Sequence, residues 1–448
     1  MSVTVDKFSR LAALKPSRPT RTQPVSLRAP ADEDTLGRTL GASLAKNHYG
    51  DHLSLRNWFS TPDAFAPSPS TLRLLANSRK ETISAKSFAA LSHPDNWLFL
   101  DTETTGLAGG TGTYAFLVGL AWWDAGGLQV EQFFMRDFTD EYSVLQELSA
   151  RISEKPVLVT FNGKSFDWPL LESRFTMTRA IRTPKLAAHL DLLHPARALW
   201  KLRLGSVRLI ELERHVLDAK KMGWHREDDV PSSQIPQFYF DYLRGGSAEP
   251  LAAVARHNQM DLRGLAALFG EIDAMLSCSL NSESEFESLD LLGLSKFLQR
   301  RGEASGAHSA CEKAIAIGLP ADLRPQANRD LALMAKRRGE HSRAALLWLG
   351  ILSGASNLSD SIHSCEQLAI YYERHAKDLS RAVEFAQLAL AKLRSKRSAS
   401  NDPYLAARSA RLEQKFMHRL QRLQHRIKTT TGLARPLAVS CSSGESET

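Results

Sequence analysis

The 448-residue chain is predicted to fold as a mixed α/β sheet with flanking helices, followed by an all-α domain of helical repeats. Three observations predict this. Between residues 96 and 276, short wholly apolar runs such as NWLFLD and KPVLVTFNG alternate with longer amphipathic stretches. A strand buried on both faces reads as a continuous apolar run, and alternating such runs with helices builds a layered sheet. Beyond residue 287 the strand-like runs stop and small residues recur at a near-constant period, the mark of stacked helical units.

Residues 1–94 read as a largely disordered basic arm. Stretches such as KPSRPTRTQPVSLRAPADED and STPDAFAPSPSTLR carry too little apolar surface to offset the entropy of ordering. A few short ordered pieces are expected there, LGASLAKNHYGDHLSLRNWF being the most apolar. The α/β domain is placed at 95–278. NWLFLD forms its first strand, and TYAFLVGLAWWD and GLQVEQFFMRD, separated by AGG, form a hairpin. EYSVLQELSARI is helical, KPVLVTFNG is a buried strand, FDWPLLESRFT opens a helix and AAHLDLLH supplies a fifth strand. The chain is then mainly helical to AEPLAAVARHNQMDLRGLAALFGEIDAML. The order β-β-β-α-β-α-β-α specifies a mixed sheet with helices on its faces.

Residues 287–428 are expected to be helical and repetitive. LGLSKFLQRRGEASGAHSACEKAI, LALMAKRRGEHSRAALLWLGI and LAIYYERHAKDLSRAVEFAQLAL share one pattern, with Ala307, Ala344 and Ala382 recurring at steps of 37 and 38 residues. Close helix crossings demand such small side chains, and the pattern resembles tetratricopeptide repeats, whose period is about 34. The steps are slightly long and several usual aromatic positions are empty, so an irregular helical bundle is the other reading. In the last helix Leu412, Phe416, Leu420, Leu423 and Ile427 form one stripe among many Lys and Arg. A repeat-capping helix needs a charged outer face for solvent alone; contact with phosphates is the alternative. Residues 429–448 are expected to be a disordered tail.

Composition narrows the class. The net charge of +8 and pI of about 9.3 permit a polyanionic partner without identifying one. No apolar run approaches the roughly 18 residues of a membrane helix, and the N-terminus lacks the apolar core of a secretory signal. Cys278, Cys311, Cys365 and Cys441 stand far apart, which argues against a cysteine zinc site or a disulfide scaffold and fits a cytoplasmic location.

Chemistry concentrates in three places. Asp101 and Glu103 follow the apolar run in NWLFLDTETTGL; two apart in a strand, they project to the same side. A carboxylate pair this close needs protonation, donors or a cation, and a strand's carboxyl end is where open α/β sheets place ligands. A solvated turn is the plain alternative. Asp167, in TFNGKSFDWPLLESRF, stands two residues before Pro169, where a helix N-cap is the stronger local reading. His257 and Asp261 in ARHNQMDLRGL lie one turn apart on one helical face. LAGGTGTY lacks the Gly-Lys-Ser/Thr of a phosphate loop and reads as a strand connection.

Taken together, D-x-E-T-T-G, N-x-x-x-F-D and a late helical Asp resemble DEDD-type 3′–5′ exonuclease domains of the RNase H-like superfamily. The closer resemblance is to its YprB-like branch, through DTETTGLAGGTGTYAFLVGLAWW, DLLHPARALWKLRLGSVRLIELERHVL, REDDVPSSQIPQFYFDYLRGG and PLAAVARHNQMDLRGLAAL. The resemblance implies an RNase H-like fold and a nuclease whose four acids, Asp101, Glu103, Asp167 and Asp261, bind two divalent cations, Mg²⁺ or Mn²⁺. Asp101 would bridge both, Glu103 and Asp261 would complete one site, and Asp167 would support the other. Hard cations prefer carboxylate oxygens, and a metal pair about 4 Å apart suits phosphodiester hydrolysis. His257 would orient or deprotonate the attacking water. Here the chain departs from the family: the His subtype places its base five residues before the last Asp and the Tyr subtype places Tyr four before, whereas this chain has His at the Tyr spacing. Thr104, Gly106 and Leu107 would meet the terminal nucleotide of DNA or RNA. Asn162 would contact the acids or substrate, or serve the turn, and Asp191 would be an outer acid. The helical repeats would engage substrate or a protein partner. A scaffold that binds nucleic acid without cutting it, and an endonuclease on the same fold, are the competing readings.

Overall fold

The computed structural model describes residues 34–60, 67–76, 83–106, 112–219, 226, 229–277, 286–354, 357–397 and 403–432. The chain divides into two compact units. The first comprises residues 1–66, 85–191 and 218–267, the second 67–84, 192–217 and 268–448.

The first unit is built on a seven-stranded sheet. In chain order its strands are β1 (Ser43–Asn47), β2 (Gly50–Ser60), β3 (Trp97–Thr104), β4 (Ala115–Asp124), β5 (Gly127–Phe134), β6 (Val157–Thr160) and β7 (Ala188–Asp191). The spatial order is β1-β2-β5-β4-β3-β6-β7. β3 is antiparallel to β4 and parallel to β6, which is parallel to β7. The carboxyl ends of β3, β6 and β7 therefore open on one edge, and Asp101, Asn162 and Asp191 all lie there. The apolar reading of β3 holds: Trp97, Leu98, Phe99 and Leu100 are at most 1 % exposed. The β4–β5 hairpin turns on two residues, Ala125 (φ 48°) and Gly126 (φ 78°). Positive φ at both positions matches the twist of paired strands.

One expectation is corrected. Within the stretch read as an arm, Asp34–Leu40 is helical (α1), and β1 and β2 extend the sheet, β2 pairing with β5 from Leu53 to Ser60. This is the apolar piece singled out above, and pairing with β5 supplies its missing partners. Residues 1–33, 61–66 and 77–82 lie outside the described residues. Ala85–Leu91 (α3) precedes β3, and Glu141–Glu154 (α4), Asp167–Thr178 (α5), Ile235–Leu243 (α8) and the long Glu249–Ser277 (α9) flank the sheet. Phe116 of β4 stacks on Tyr239 of α8 at 4.1 Å between centroids. Glu141 and Arg174, both buried, form a two-pronged ion pair joining α4 to α5 at 2.5 and 2.6 Å.

The second unit is helical. Pro69–Ala76 (α2), Leu193–Leu204 (α6) and Leu209–His215 (α7) join three helix pairs: Ser288–Arg301 with Ala304–Ile317 (α10, α11), Arg324–Arg337 with His341–Gly354 (α12, α13), and Leu358–Arg374 with Leu379–Arg397 (α14, α15). The periodic alanines sit at equivalent places in α11, α13 and α15: Ala307, Ala344 and Ala382 are 0, 3 and 0 % exposed. Each pair turns through a left-handed residue, at Gly302, Gly339 and Lys377. α6 and α7 belong here rather than with the sheet, where the sequence placed them. The reason lies at Gly293 of α10, where a Cβ would fall 2.3 Å from the carbonyl oxygen of Leu199; only glycine lets α6 approach this closely. Pro403–Gly432 (α16) closes the series, with Phe416 and Leu423 buried and Leu412 and Leu420 packed beside them. It runs four residues into the expected tail, whose remainder lies outside the described residues.

Candidate metal centre

Asp101 sits opposite Gly119 of β4, which sits opposite Gln132 of β5. This row forms a seat for Asn258 of α9. A Cβ on Gly119 would lie 2.0 Å from the Asn258 carbonyl oxygen, so the bare glycine makes the space. Asn258 is fully buried; its Nδ2 donates to Asp101 Oδ2 at 2.7 Å, and its Oδ1 accepts from Gln132 Nε2 at 2.8 Å. Gln132 also donates to the carbonyl of Ala255, one turn earlier in α9, at 2.8 Å. A buried amide with its donors and acceptors used in this way fixes a helix over a sheet. The clamp holds in place the two residues of α9 that flank Asn258, His257 and Asp261.

Glu103 projects from the same strand as Asp101 and is 9 % exposed. His257 Nε2 lies 4.0 Å from Glu103 Oε1 and 3.5 Å from Asp261 Oδ2. On the other side of the ring, Nδ1 lies 2.6 Å from Asp229 Oδ1. Asp229, a carboxylate, accepts a hydrogen bond from Nδ1–H, which leaves Nε2 to face Glu103 and Asp261. Arg226 donates to Asp229 at 3.0 Å and also bonds Asp261. Asp167 is the first residue of α5, not its cap: Phe166 holds the cap position and makes no side-chain capping bond. The Asp167 carboxylate instead accepts from Thr102 Oγ1 at 2.5 Å.

The electrostatics follow from burial. Burial raises the carboxyls of Asp101 and Glu103 well above the ordinary carboxylate range, and Asp261 and Asp167 push both further. Burial raises Asp167 as well, against the opposing bond from Thr102. At Asp229 burial pushes upward but is outweighed by the His257 and Arg226 contacts, which leave it below its usual value. The four acids thus form one mutually repelling group, which a cation would relieve. The donor set fits such a cation. Ligand atoms of Glu103, His257 and Asp261 all lie within 4.8 Å of one another, and carboxylate oxygen with imidazole nitrogen suits Mg²⁺, Mn²⁺ or a related divalent ion.

The remaining predicted residues take different places. Asn162 adopts a left-handed turn (φ 70°), and its backbone N–H and that of Lys164 donate to Asp191 at 2.8 and 3.1 Å. Its placement follows the turn reading, with Asp191 as the fastener of the loop. Asp191 also raises Asp167, as an outer acid would. Thr104 Oγ1 donates to the carbonyl of Gly106 at 2.8 Å; Leu107 lies outside the described residues. Sequence reasoning passed over Asn258, Gln132, Gly119, Thr102, Arg226 and Asp229. Asn258 adjoins His257, and Arg226 and Asp229 stand in the charged stretch REDD, but neither spacing nor periodicity links them to β3.

Comparison with known proteins agrees with this architecture. The sequence profile of the RNase H superfamily matches residues 98–272, and the sheet belongs to that class of fold. The chain is 30 % identical over 337 residues to the uncharacterized protein YprB of Bacillus subtilis (strain 168), a match covering 75 % of this chain and 78 % of that one. It belongs to the YprB family. A weaker likeness links it to the family B DNA polymerase of the archaeon Pyrobaculum calidifontis, at 15 % identity and a TM-score of 0.31, covering 46 % of this chain and 29 % of the polymerase. The chain therefore spans under a third of that enzyme, and at this score the likeness adds nothing to the fold. Among the described residues no helix is long and apolar enough to cross a membrane.

Proposed function

We propose that the protein is a metal-dependent 3′–5′ exonuclease acting on DNA or RNA. One observation carries the reading: four carboxylates from β3, α5 and α9 gather, partly buried, at the carboxyl edge of the sheet, where burial and the neighbouring acids raise Asp101, Glu103 and Asp167. A group of like charges kept together at such a cost calls for a counter-charge from outside the chain. Mg²⁺ or Mn²⁺ held by Asp101, Glu103, Asp167 and Asp261 would supply charge stabilisation to the phosphodiester and a more acidic water. Asp101 would be the shared ligand, Glu103 and Asp261 would complete one position, and Asp167 would support the other. His257 is the general base: Asp229 retains its Nδ1 proton, so Nε2 is free to orient a water and accept its proton. The same nitrogen is within ligand reach of Glu103 and Asp261, so a metal-ligand role for His257 is the variant of this scheme. Thr104, Gly106 and Leu107 receive the terminal nucleotide, and Asn162 contributes through the turn that Asp191 fastens. The tetratricopeptide-like repeats engage substrate or a protein partner, and the chain works in the cytoplasm.

A second reading, a nucleic-acid-binding scaffold without cleavage, draws on Arg226. Its guanidinium already bonds Asp261, a counter-charge supplied by the chain itself. Digestion of end-labelled single- and double-stranded DNA and RNA with Mg²⁺ or Mn²⁺, beside Asp101→Asn, decides between them. The exonuclease reading expects mononucleotide release from the 3′ end that the substitution abolishes. Binding without cleavage under every condition points to the scaffold, and cleavage unchanged by Asp101→Asn removes the site assignment.

A further inference from the structure

We infer that the outer face of α16 is a binding surface for the phosphate backbone of nucleic acid. Two observations carry it. First, α16 is strongly one-signed: its residues 403–432 hold seven Lys or Arg against Glu413 alone, a surplus of six set beside the +8 of the whole chain. A capping helix needs a solvated face, but not a face of one sign; mixed charges solvate it equally well without self-repulsion.

Second, the arginines are arranged. Glu373 of α14, only 5 % exposed, receives Arg419 at 3.1 Å, Arg422 at 2.6 and 2.8 Å, and Arg426 at 3.0 Å. One guanidinium neutralises one carboxylate, yet three meet here. Arg419 is mostly buried and serves as the structural partner, whereas the side chains of Arg422 and Arg426 remain 46 % exposed. A guanidinium tethered by a buried acid has lost much of its rotamer freedom before any ligand arrives. Its remaining N–H groups keep the planar fork that matches a phosphate. Arg411, His418 and His425 continue the exposed face along a helix about 45 Å long.

The same face argues against a protein partner. Interfaces between proteins are anchored by buried aromatic or aliphatic side chains. Among the described residues of α16 the sole exposed large hydrophobic is Met417. A long cationic ridge without apolar anchors fits a polyanion read by charge rather than by sequence.

The inference rests on the proposed function only in taking nucleic acid as the polyanion, so its test is run without catalysis. Full-length protein is titrated onto fluorescein-labelled single-stranded DNA and RNA in EDTA, at several salt concentrations, with anisotropy as the readout. Arg411→Gln and Arg422→Gln are each expected to weaken binding about three- to tenfold at low salt and to lower the log–log salt slope by about one. Arg422→Lys is expected to restore the slope. Because Arg411 lies on the exposed face, its variant remains informative if Arg422→Gln fails to fold. A wild type that binds neither oligonucleotide overturns the inference. So do salt slopes unchanged in both Gln variants, or equal affinity for poly-glutamate. Loss of cleavage with this binding intact would count against the exonuclease reading alone.

Discussion

The two units bury opposite excesses of charge. In the first, Asp101, Glu103, Asp167 and Asp261 share one partly buried region. In the second, three arginines share the single buried carboxylate of Glu373. Balanced pairs such as Glu141 with Arg174 show that the fold readily matches one charge with one charge where only stability is at stake. We read the imbalance in each unit as a place where further charge would come from outside, beyond what Arg226 gives Asp261. On the proposed reading the acids would take small divalent cations, and the arginines a polyanion. The same physics, read with opposite sign, separates a candidate reaction centre from a candidate binding ridge.

The comparison breaks first on stability. Replacing Glu373 by Gln removes the carboxylate that meets three guanidiniums and is expected to cost about 3 kcal/mol, as stripping one partner from a buried ion group does. Asp101→Asn, measured in EDTA, is expected to do the reverse: one repelling charge disappears while an amide remains beside Asn258, and the melting temperature rises. Equal destabilisation by both substitutions would show that the acids are not a repelling group.

Next in size is Gly119→Ala. Its methyl group would overlap the Asn258 oxygen, and overpacking of this kind costs about 1–3 kcal/mol. A shift of α9 should also weaken Mn²⁺ binding, read by isothermal titration, while the helical unit stays intact by circular dichroism. Wild-type Mn²⁺ affinity in Gly119→Ala would mean that the clamp does not position Asp101.

The smallest effect is the dependence on pH. Asp101 and Glu103 have folded values raised above the unfolded ones, so their contribution is fully present below the ordinary carboxylate range. It is lost as pH climbs through the raised values. His189 works the other way: burial lowers it to about 4 from 6.5, so its contribution is present above pH 6.5 and lost as pH falls towards 4. Metal-free protein should therefore melt lower at both ends of the range. Mg²⁺ should restore the upper end alone, and His189→Gln should flatten the lower end alone.

Much of this was legible in the chain. The apolar runs of β3 and β6 are dense enough that burial on both faces is their only outlet. The alanine period at 307, 344 and 382 follows directly from the helix crossings it permits. The acids were legible as a motif because a strand's alternation and a helix's turn fix which side chains share a side. β1 and β2 were half-hidden: β1 is an edge strand, where polar residues intrude, as in SLAKN, and β2 beside it alternates polar with apolar residues, so neither has the density of β3. The membership of α6 was hidden altogether, since it depends on one glycine meeting a distant backbone at Leu199. Asn258 and Gln132 were illegible for the same reason. A buried amide has no signature until the strands that satisfy it are brought together.

The central claim is that the buried acids are paired by divalent cations. Its most direct test is Mn²⁺ binding, by calorimetry and electron paramagnetic resonance, to the wild type and to Asp101→Asn at neutral pH without nucleic acid. The account predicts a pair of Mn²⁺ sites per chain in the wild type and loss of that pair in the variant. Identical Mn²⁺ binding by the two proteins, or none by the wild type, would contradict it.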